Sequence, residues 1–360
     1  MRVFVLDPYH AGSHAAWSNG YAEASQHEVH IVSMEGRFWK WRMHGGPVTL
    51  AEQTLAIAAK VGLPDVFIAS DMVDLPTFLG LVRSWAAQVP AVLYMHENQL
   101  TYPISPSSTP DLTFGLMNWK SMLIADRVVY NSQFHRTEVE ERLPGVLKNF
   151  PDYRHVDFLP DVVFKSSVLP VGVDLARFKK GVRSEGGAPL VLWNQRWEHD
   201  KNPTEMIDAL TAVIEAGADI RIALCGENFR NEPEEFLEAR EQWGDRLVHF
   251  GWAEEENYID LVSGADIVLS TAKHEFFGIA VIEALYSGAT GVLPRRLSYP
   301  EILYPETAEE HLYDDFDQMV QRIIHFAQNP HQASEAELTH YGQFNWSKVA
   351  PQYDNLLESL

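Results

Sequence analysis

The chain has 360 residues, enough for two domains of ordinary size, and its hydrophobic fraction of 46% is that of a soluble globular protein. One cysteine, Cys225, excludes an internal disulfide. The formal net charge of −22 disfavours nucleic-acid or anionic-membrane partners, except through a local basic patch. Because we see no secretory signal and no apolar run of the roughly 18 residues that span a membrane, we expect a cytoplasmic protein.

The first half of the chain alternates short apolar runs with segments of helical length, which indicates an α/β fold with a parallel sheet. The predicted strands are 2–7, 27–34, 65–69, 91–95, 127–130 and a short one within 166–174. The first of them runs into a turn at Gly12. Such a glycine lets the backbone approach a ligand closely, although a plain tight turn explains it equally well.

Basic and aromatic residues alternate in the segment 35–43, EGRFWKWRM, after the second predicted strand. Such a mixture can stack on bases and pair with phosphates. The alternative is a loop that packs its aromatic rings against the core. In a chain this acidic, the local cluster of cations stands out; it comprises Arg37, Lys40 and Arg42, interleaved with Phe38, Trp39 and Trp41.

The polar residues His96, Asn98 and Gln99 follow the predicted strand 91–95. Ligands of α/β folds bind at the carboxyl ends of the strands. His96 could therefore donate to a substrate hydroxyl or phosphate, while the alternative is a histidine that caps a strand end. The stretch 101–110 contains three prolines, and we expect an irregular loop that acts as a lid or an acceptor wall.

The second half of the chain repeats the alternating pattern after a glycine-rich segment, 181–189, which is typical of a linker. We therefore expect a domain boundary near 170–188. The sequence also predicts a helix that starts near Pro203, and a terminal helix within 345–360 whose start Pro351 would delay or whose axis it would kink. The predicted strands are 190–194, 220–225, 246–250, 265–270 and 289–293.

A candidate anion site follows strand 265–270, where a helix is predicted to begin near Gly278. The first N–H groups of a helix lack intrahelical acceptors and carry the positive end of the helix dipole, so this turn could hold a phosphate. Glu275 would lie beside that anion, and Glu283 would lie one turn into the helix with its carboxylate facing the same cleft. The alternative is an ordinary strand-turn-helix unit with Glu283 on a solvated face.

Arg196 and Lys201 lie between the first strand of the second half and the helix at Pro203. Facing the candidate anion site they would bind a diphosphate, Arg196 through its planar fork and Lys201 as a point charge. Two solvated surface cations are the alternative. Asp315 and Asp317 match an Asp-x-Asp metal pattern, but they follow the end of the sheet pattern, and we interpret them as a solvated acidic run.

Arg196, Lys201 and the segment EFFGIAVIE at 275–283 resemble the donor site of family 4 glycosyltransferases of the GT-B fold. The resemblance implies two Rossmann-like domains that face a cleft, residues 1–172 with the terminal helix 345–360, and residues 173–344. It further implies that Arg196 and Lys201 bind the diphosphate, that Glu275 contacts the sugar and that Glu283 binds the ribose. The remaining donor residues that it implies are Phe277, Gly278, Ile279 and Gly12.

A narrower resemblance, to the tRNA-queuosine α-mannosyltransferase group, rests on SH at 13–14, GRFWKWRM at 36–43, HENQLTYP at 96–103 and NSQFH at 131–135. This family transfers mannose from GDP-mannose to the cyclopentenediol of queuosine in the anticodon of tRNA-Asp. The acceptor residues that the resemblance implies are Ser13, His14, Arg37, Lys40, Arg42, Asn98 and Gln99.

The resulting hypothesis is a retaining glycosyl transfer without a metal or other cofactor, with a nucleotide sugar and a tRNA as partners. Glu275, His96, Arg196 and Lys201 are the expected catalytic residues. One alternative is a family 4 glycosyltransferase with another sugar nucleotide and a lipid, protein or small-molecule acceptor. The other is a non-catalytic module that binds a sugar nucleotide or RNA.

Overall fold

A computed structural model describes residues 1–101, 111–180, 187–226 and 234–360. The chain divides into two compact units, one of Met1–Val173 with Trp346–Leu360, the other of Asp174–Asn345. Each unit contains a six-stranded parallel sheet with helices between its strands. Most of the predicted proline-rich lid, residues 102–110, and part of the predicted linker, residues 181–186, lie outside the described residues.

The sheet of the first unit has the strand order β2-β1-β3-β4-β5-β6, with all neighbours parallel. Strands β3 and β4 are buried at every position, because helices cover both faces of the sheet, and this explains their uninterrupted apolar sequence. The predicted strands of this half are confirmed. The elements are β1 Arg2–His10, α1 Gly12–Ala24, β2 Glu28–Glu35, α2 Trp39–Val61, β3 Val66–Ser70, α3 Leu75–Ala86, β4 Ala91–Met95, α4 Leu112–Ile124, β5 Arg127–Tyr130, α5 Gln133–Lys148, α6 Leu159–Phe164 and β6 Ser166–Val168.

The C-terminal helix, Trp346–Glu358, belongs to the first unit. The buried carboxylate of Asp354 accepts hydrogen bonds from the Tyr21 hydroxyl at 2.8 Å and from the Gln26 N–H at 3.0 Å, which ties the helix to α1 and to the turn that follows it. A side chain at Gly172 would overlap the indole of Trp346, so the glycine makes room for the start of the helix. The predicted delay at Pro351 is wrong, because the helix begins ahead of this proline and continues through it.

The sheet of the second unit has the order β12-β11-β10-β7-β8-β9 and is also parallel. All strands predicted for this half are confirmed, and so is the helix start at Pro203. Strand β12 was not predicted, because two residues are too short to show a periodicity. The elements are β7 Leu190–Trp193, α7 Pro203–Glu215, β8 Arg221–Cys225, α8 Glu234–Trp243, β9 Leu247–Gly251, α9 Glu255–Ser263, β10 Ile267–Leu269, α10 Ile279–Tyr286, β11 Thr290–Pro294, α11 Tyr299–Ile302, α12 Ala308–His311, β12 Leu312–Tyr313, α13 Phe316–Gln328 and α14 Glu335–Gly342.

The Asp-x-Asp pattern lies at the start of α13. The side chain of Asp315 accepts a hydrogen bond from the Gln318 N–H at 2.9 Å and caps the helix. Asp315 and Asp317 are both exposed, as expected for a solvated acidic run. Among the described residues, no helix is both long enough and apolar enough to cross a membrane.

Candidate functional site

In the second unit, the loops that follow β7 and β10 are bound to each other. Their strands are parallel neighbours, so both loops leave the same edge of the sheet. The Asn194 side chain donates to the Ala280 carbonyl at 2.9 Å, and the Thr271 hydroxyl donates to the Lys201 carbonyl at 2.8 Å. These bonds bring the predicted donor residues of both loops together.

Lys201 is buried, with 8% of its surface exposed, among three acceptors. Its Nζ donates to the His274 carbonyl at 2.8 Å and lies 3.2 Å from Glu275 Oε2 and 3.3 Å from Asp200 Oδ2. Burial alone would raise the pKa of Glu275, but the charge of Lys201 and the hydrogen bonds from Lys201 and the Phe277 N–H together outweigh burial, and the pKa falls below its usual value. The alternative of a solvated cation is therefore wrong for Lys201.

Arg196 occupies a more open position on the same loop, with 51% of its side chain exposed. Its guanidinium pairs with Glu198 at 3.2 Å and lies 3.9 Å from Asp200 Oδ2. Asp200 is thus shared between the buried cation Lys201 and the accessible cation Arg196. A planar guanidinium at such a place can bind an incoming phosphate through two parallel hydrogen bonds.

The helix start predicted near Gly278 is confirmed. Gly278 is the N-cap of α10, and its φ of +99° is in the left-handed region, which a residue with a side chain adopts only with strain. The Phe277 N–H donates to Glu275 Oε1 at 3.3 Å, so Glu275 lies directly at the helix start. Ile279 and the next residue are half-buried, and their N–H groups have no intrahelical acceptor. This turn can hold an anion beside the carboxylate of Glu275.

Glu283 is buried inside the second unit, so the solvated-face alternative is wrong. Its Oε1 lies 2.6 Å from the Arg177 guanidinium, and its Oε2 accepts from the Tyr258 hydroxyl at 2.6 Å. Burial raises the pKa of Glu283 despite the charge of Arg177. Both carboxylate oxygens are engaged, so a ribose hydroxyl would have to share them. Sequence reasoning missed Arg177 and Tyr258, and the only available signal was that Arg177 follows closely on the segment PVGVD at 170–174.

In the first unit, His96 lies at the carboxyl end of β4 with 7% of its surface exposed. Its backbone N–H donates to Asp71 Oδ1 at 2.9 Å, and its backbone carbonyl accepts from the Asn131 side chain at 2.9 Å. Its ring lies against Trp17 and, at 4.3 Å between centroids, against His14. Burial and the neighbouring His14 lower the pKa of His96 well below its usual value, so the ring is neutral at pH 7. Among the described residues, its buried Nε2 atom has no hydrogen-bond partner.

His14 lies near the start of α1 and is as deeply buried as His96. The two residues before it are exposed: Gly12, which begins the helix with a φ of +51°, and Ser13. Burial works against a charged His14, but the carboxylate of Asp7, 3.6 Å from its Nδ1, raises the pKa to about 9. His14 is therefore a cation at pH 7. Sequence reasoning missed Asp7, since a single aspartate at the end of an apolar strand carries no motif.

The two other polar residues predicted after β4 differ in exposure. Asn98 is fully buried, and its Oδ1 accepts from the N–H groups of Leu100 and Thr101 at 3.0 and 2.9 Å. Gln99 is half-buried, and its amide donates to Glu97 Oε1 at 2.9 Å. Asn98 therefore shapes the loop, while Gln99 is the more accessible side chain.

The aromatic rings of the segment 35–43 divide into one that packs and two that face solvent. Trp39 lies against Phe114, with 4.9 Å between ring centroids. Phe38 and Trp41 are 76% and 63% exposed. The alternative, a loop whose rings pack against the core, is right for Trp39 and wrong for Phe38 and Trp41, and the segment is in part helical because α2 begins at Trp39.

The cations of this segment lie beside those rings. Lys40 Nζ lies 5.5 Å from the centroid of the Trp39 ring, within the range of a cation–π contact. Arg37 is exposed and pairs with Glu35 at 2.9 Å, while Arg42 Nε donates to the Glu35 carbonyl at 3.0 Å. The segment thus presents exposed aromatic faces next to cations.

One cluster among the described residues has the donor types of a metal site, namely His311, His331 and Glu337 in the second unit. The Glu337 carboxylate already accepts hydrogen bonds from the Ser334 N–H at 2.7 Å and from the Thr307 hydroxyl at 2.9 Å, and His331 lies 3.1 Å from it. These hydrogen bonds explain the position of the Glu337 carboxylate, which is part of the capping box of α14.

Both halves of the chain match known proteins. Residues 176–342 match the family model of glycosyl transferases group 1. The whole chain shares its fold with sucrose-phosphate synthase from Thermosynechococcus elongatus (TM-score 0.72, 16% identity, 100% and 99% of the two chains) and with Anabaena HepE in complex with UDP-glucose (TM-score 0.68, 16% identity, 100% of both chains). The chain is a glycosyltransferase of the GT-B fold.

Residues 2–173 match the model of the tRNA-queuosine alpha-mannosyltransferase N-terminal domain. The tRNA-queuosine alpha-mannosyltransferase of Drosophila melanogaster is 31% identical over 358 residues, covering 97% of this chain and 93% of the relative. This chain therefore belongs to the tRNA-queuosine alpha-mannosyltransferase family. A GDP-mannose-dependent phosphatidylinositol dimannoside mannosyltransferase of Mycobacterium tuberculosis is 30% identical over 144 residues, 38% of this chain and 37% of the relative.

Proposed function

We propose that this chain is a retaining mannosyltransferase that moves mannose from GDP-mannose to queuosine in the anticodon of a tRNA, without a metal. The observation that carries the proposal is the match along the chain to a relative named for this activity, together with the N-terminal family match. A tRNA acceptor also favours a cytoplasmic location.

The cations of the second unit support a metal-free departure of the nucleoside diphosphate. Negative charge builds on that leaving group as the glycosidic bond breaks. Arg196, Lys201 and the N–H groups at the start of α10 would stabilise it, and removal of one such donor costs about 2.7–4 kcal/mol in comparable sites. Glu275, held by Lys201, would bind sugar hydroxyls. The mycobacterial relative, named as GDP-mannose-dependent, favours guanosine and mannose in the donor.

The segment 35–43 supports an RNA acceptor in spite of the net charge of −22. Exposed Phe38 and Trp41 can stack on unpaired bases, and the adjacent cations can pair with phosphates. His96, with a buried and unpartnered Nε2 among the described residues, would hydrogen-bond the transferred sugar or the acceptor.

The test is to incubate the purified chain with queuosine-containing tRNA and a panel of nucleotide sugars, then to measure the mass of the modified nucleoside. We expect the mass of one hexose to be added with GDP-mannose alone, and the same yield in EDTA. Arg196→Ala and Glu275→Ala should each lower turnover by about two orders of magnitude while the protein stays folded. Addition from another nucleotide sugar, loss of activity in EDTA, or transfer only to a lipid or protein would each overturn the corresponding part of the proposal.

The RNA-binding segment has a matched control on its own helix. Trp41→Ala should weaken tRNA binding about 5- to 150-fold, since stacking of one base on an aromatic ring contributes roughly 1–3 kcal/mol. Leu55→Ala removes an exposed apolar side chain from the same helix α2 and should leave tRNA affinity unchanged. Equal affinities of the two variants would place the tRNA elsewhere.

A further inference from the structure

A buried charged cluster lies at the carboxyl ends of β1, β3 and β4 in the first unit. Asp7, fully buried on β1, lies 3.0 Å through Oδ2 from His10 Nδ1 and 3.6 Å through Oδ1 from His14 Nδ1. The Tyr9 N–H also donates to Asp7 Oδ1, at 3.2 Å. The carboxylate therefore lies between two imidazoles, of which only His14 reaches the ring of His96.

The charges around this cluster follow from its neighbours. Burial disfavours an ionised Asp7, but His10 and His14 outweigh burial and hold its pKa well below the usual range. Two further carboxyl groups face His14 from neighbouring elements, Asp71 after β3 and Glu97 after β4, and both act in the same direction as Asp7. His135 on α5 acts with His14 to keep His96 neutral. The ring of His14 is therefore a cation, and it lies in contact with the neutral ring of His96.

Two imidazoles in opposite protonation states suit a ligand with two neighbouring hydroxyl groups. A cationic ring can only donate a hydrogen bond, whereas a neutral ring offers one donor and one acceptor nitrogen. The buried Nε2 of His96 and Nδ1 of His14 both have no hydrogen-bond partner among the described residues. Buried polar atoms without partners are rare in native proteins and call for an explanation, and a ligand hydroxyl at His96 supplies one.

We propose that Asp7 is a positioning residue for the acceptor, whose carboxylate orients the His14 ring so that His14 and His96 together bind the two hydroxyls of the cyclopentenediol of queuosine. This inference rests on the proposed function, because the diol belongs to that acceptor. Asp7 itself is fully buried and acts through His14. The structure therefore assigns it no contact with substrate.

The decisive variant is Asp7→Asn, which keeps the shape of the side chain and removes its charge. We expect kcat/KM for queuosine-containing tRNA to fall about 10- to 100-fold, because the His14 ring loses the charge that orients it towards the acceptor. Asp65→Asn is the matched control, because Asp65 is exposed and precedes β3 at the opposite edge of the same sheet.

The pH profile separates positioning from a loss of stability. His14, with a pKa of about 9, stays protonated until the pH rises through that value, so transfer by the wild type should fall on the alkaline side near pH 9. Without the Asp7 charge the pKa of His14 drops towards its ordinary value, and the alkaline limb of Asp7→Asn should move to lower pH by at least one unit. An unshifted limb with an unchanged kcat/KM would overturn the inference.

Titration of His14 in the protein alone, by NMR with carbon-13-labelled histidine, tests the coupling without tRNA or donor. The His14 signal is identified by its loss in His14→Gln. If the wild type does not modify queuosine-containing tRNA, the proposed function fails, whereas the NMR titration still reports whether Asp7 holds His14 charged. If Asp7→Asn does not fold, His14→Gln takes its place, and full transfer activity in that variant would overturn the inference.

Discussion

Lys201→Met removes the one ammonium group that lies between Asp200 and Glu275. Methionine has a similar length and no charge, so the two carboxylates lose their shared cation, which lies 3.3 and 3.2 Å from them. Removing one partner of a buried ion pair costs about 3–5 kcal/mol. Glu275 retains some exposure and Asp200 still faces Arg196, so we expect the lower end of that range.

A loss of about 3 kcal/mol in a unit of this size should lower the midpoint of thermal unfolding by roughly 6–12 °C. Transfer should fall about 10²- to 10³-fold, because the same ammonium would face the departing diphosphate. Both quantities can be measured on one preparation, by scanning calorimetry and by nucleoside mass. Lys179→Met, which removes an exposed lysine of the same unit, should change the midpoint by less than about 1 °C.

The pH dependence of the Lys201 effect has a definite sign. The pKa of folded Glu275 lies below its usual value of 4.5, so its pairing stabilises the fold fully above that pH and is lost as the pH falls through the lowered pKa. The difference in unfolding free energy between wild type and Lys201→Met should therefore narrow below pH 4.5. A difference that stays constant from pH 7 to pH 3.5, or a variant as stable as Lys179→Met, would refute the ion-pair reasoning.

Three further predictions concern the helix start, the C-terminal helix and α14. Gly278→Ala should cost about 1–2 kcal/mol and raise the KM for the donor, because a φ of +99° strains any residue with a side chain; an unchanged melting midpoint and KM would contradict this. Asp354→Asn should lower the urea midpoint more than Tyr21→Phe, since Asp354 accepts several hydrogen bonds and Tyr21 supplies one; equal midpoints would contradict it. Burial opposes ionisation of Glu337, but hydrogen bonds from His311 and its other neighbours lower the pKa of this carboxyl group. Glu337→Gln should therefore lower the free energy of unfolding at neutral pH, and lower it less below pH 4.5. Urea titrations at several pH values measure this difference.

Local signals in the sequence were sufficient to predict most strands and several helix starts of the fold. Buried parallel strands appear as uninterrupted apolar runs, and this located strands such as β3, β4 and β11. Pro203 and Gly278 marked two helix starts because each has a conformational preference that holds in any fold. The local preference of Pro351 predicted a delayed start of the C-terminal helix, and this prediction is wrong because packing of the helix overrides the preference of one residue.

The candidate site could be predicted only in part. Lys201 and Glu275 lie together as expected of one site, with Arg196 on the same loop as Lys201, but the ion pair between Lys201 and Glu275 was not predicted. The surroundings of Glu283 could not be predicted, because Arg177 lies 106 residues away in the chain and no periodicity relates the two. The same holds for the exposure of Trp41, which depends on where helix α2 begins.

The sequence by itself determined the class of fold, the order of the strands along the chain and the family, because these depend on local patterns and on motifs of fixed spacing. Only the tertiary structure decided which charges are paired. It showed that Lys201 is buried between two carboxylates, that Glu283 is held by Arg177, and that Asp7 faces His14. The physical reason is that protonation and pairing depend on distances of a few ångströms and on exclusion of water, and both are set by the packing of elements remote from each other in the chain.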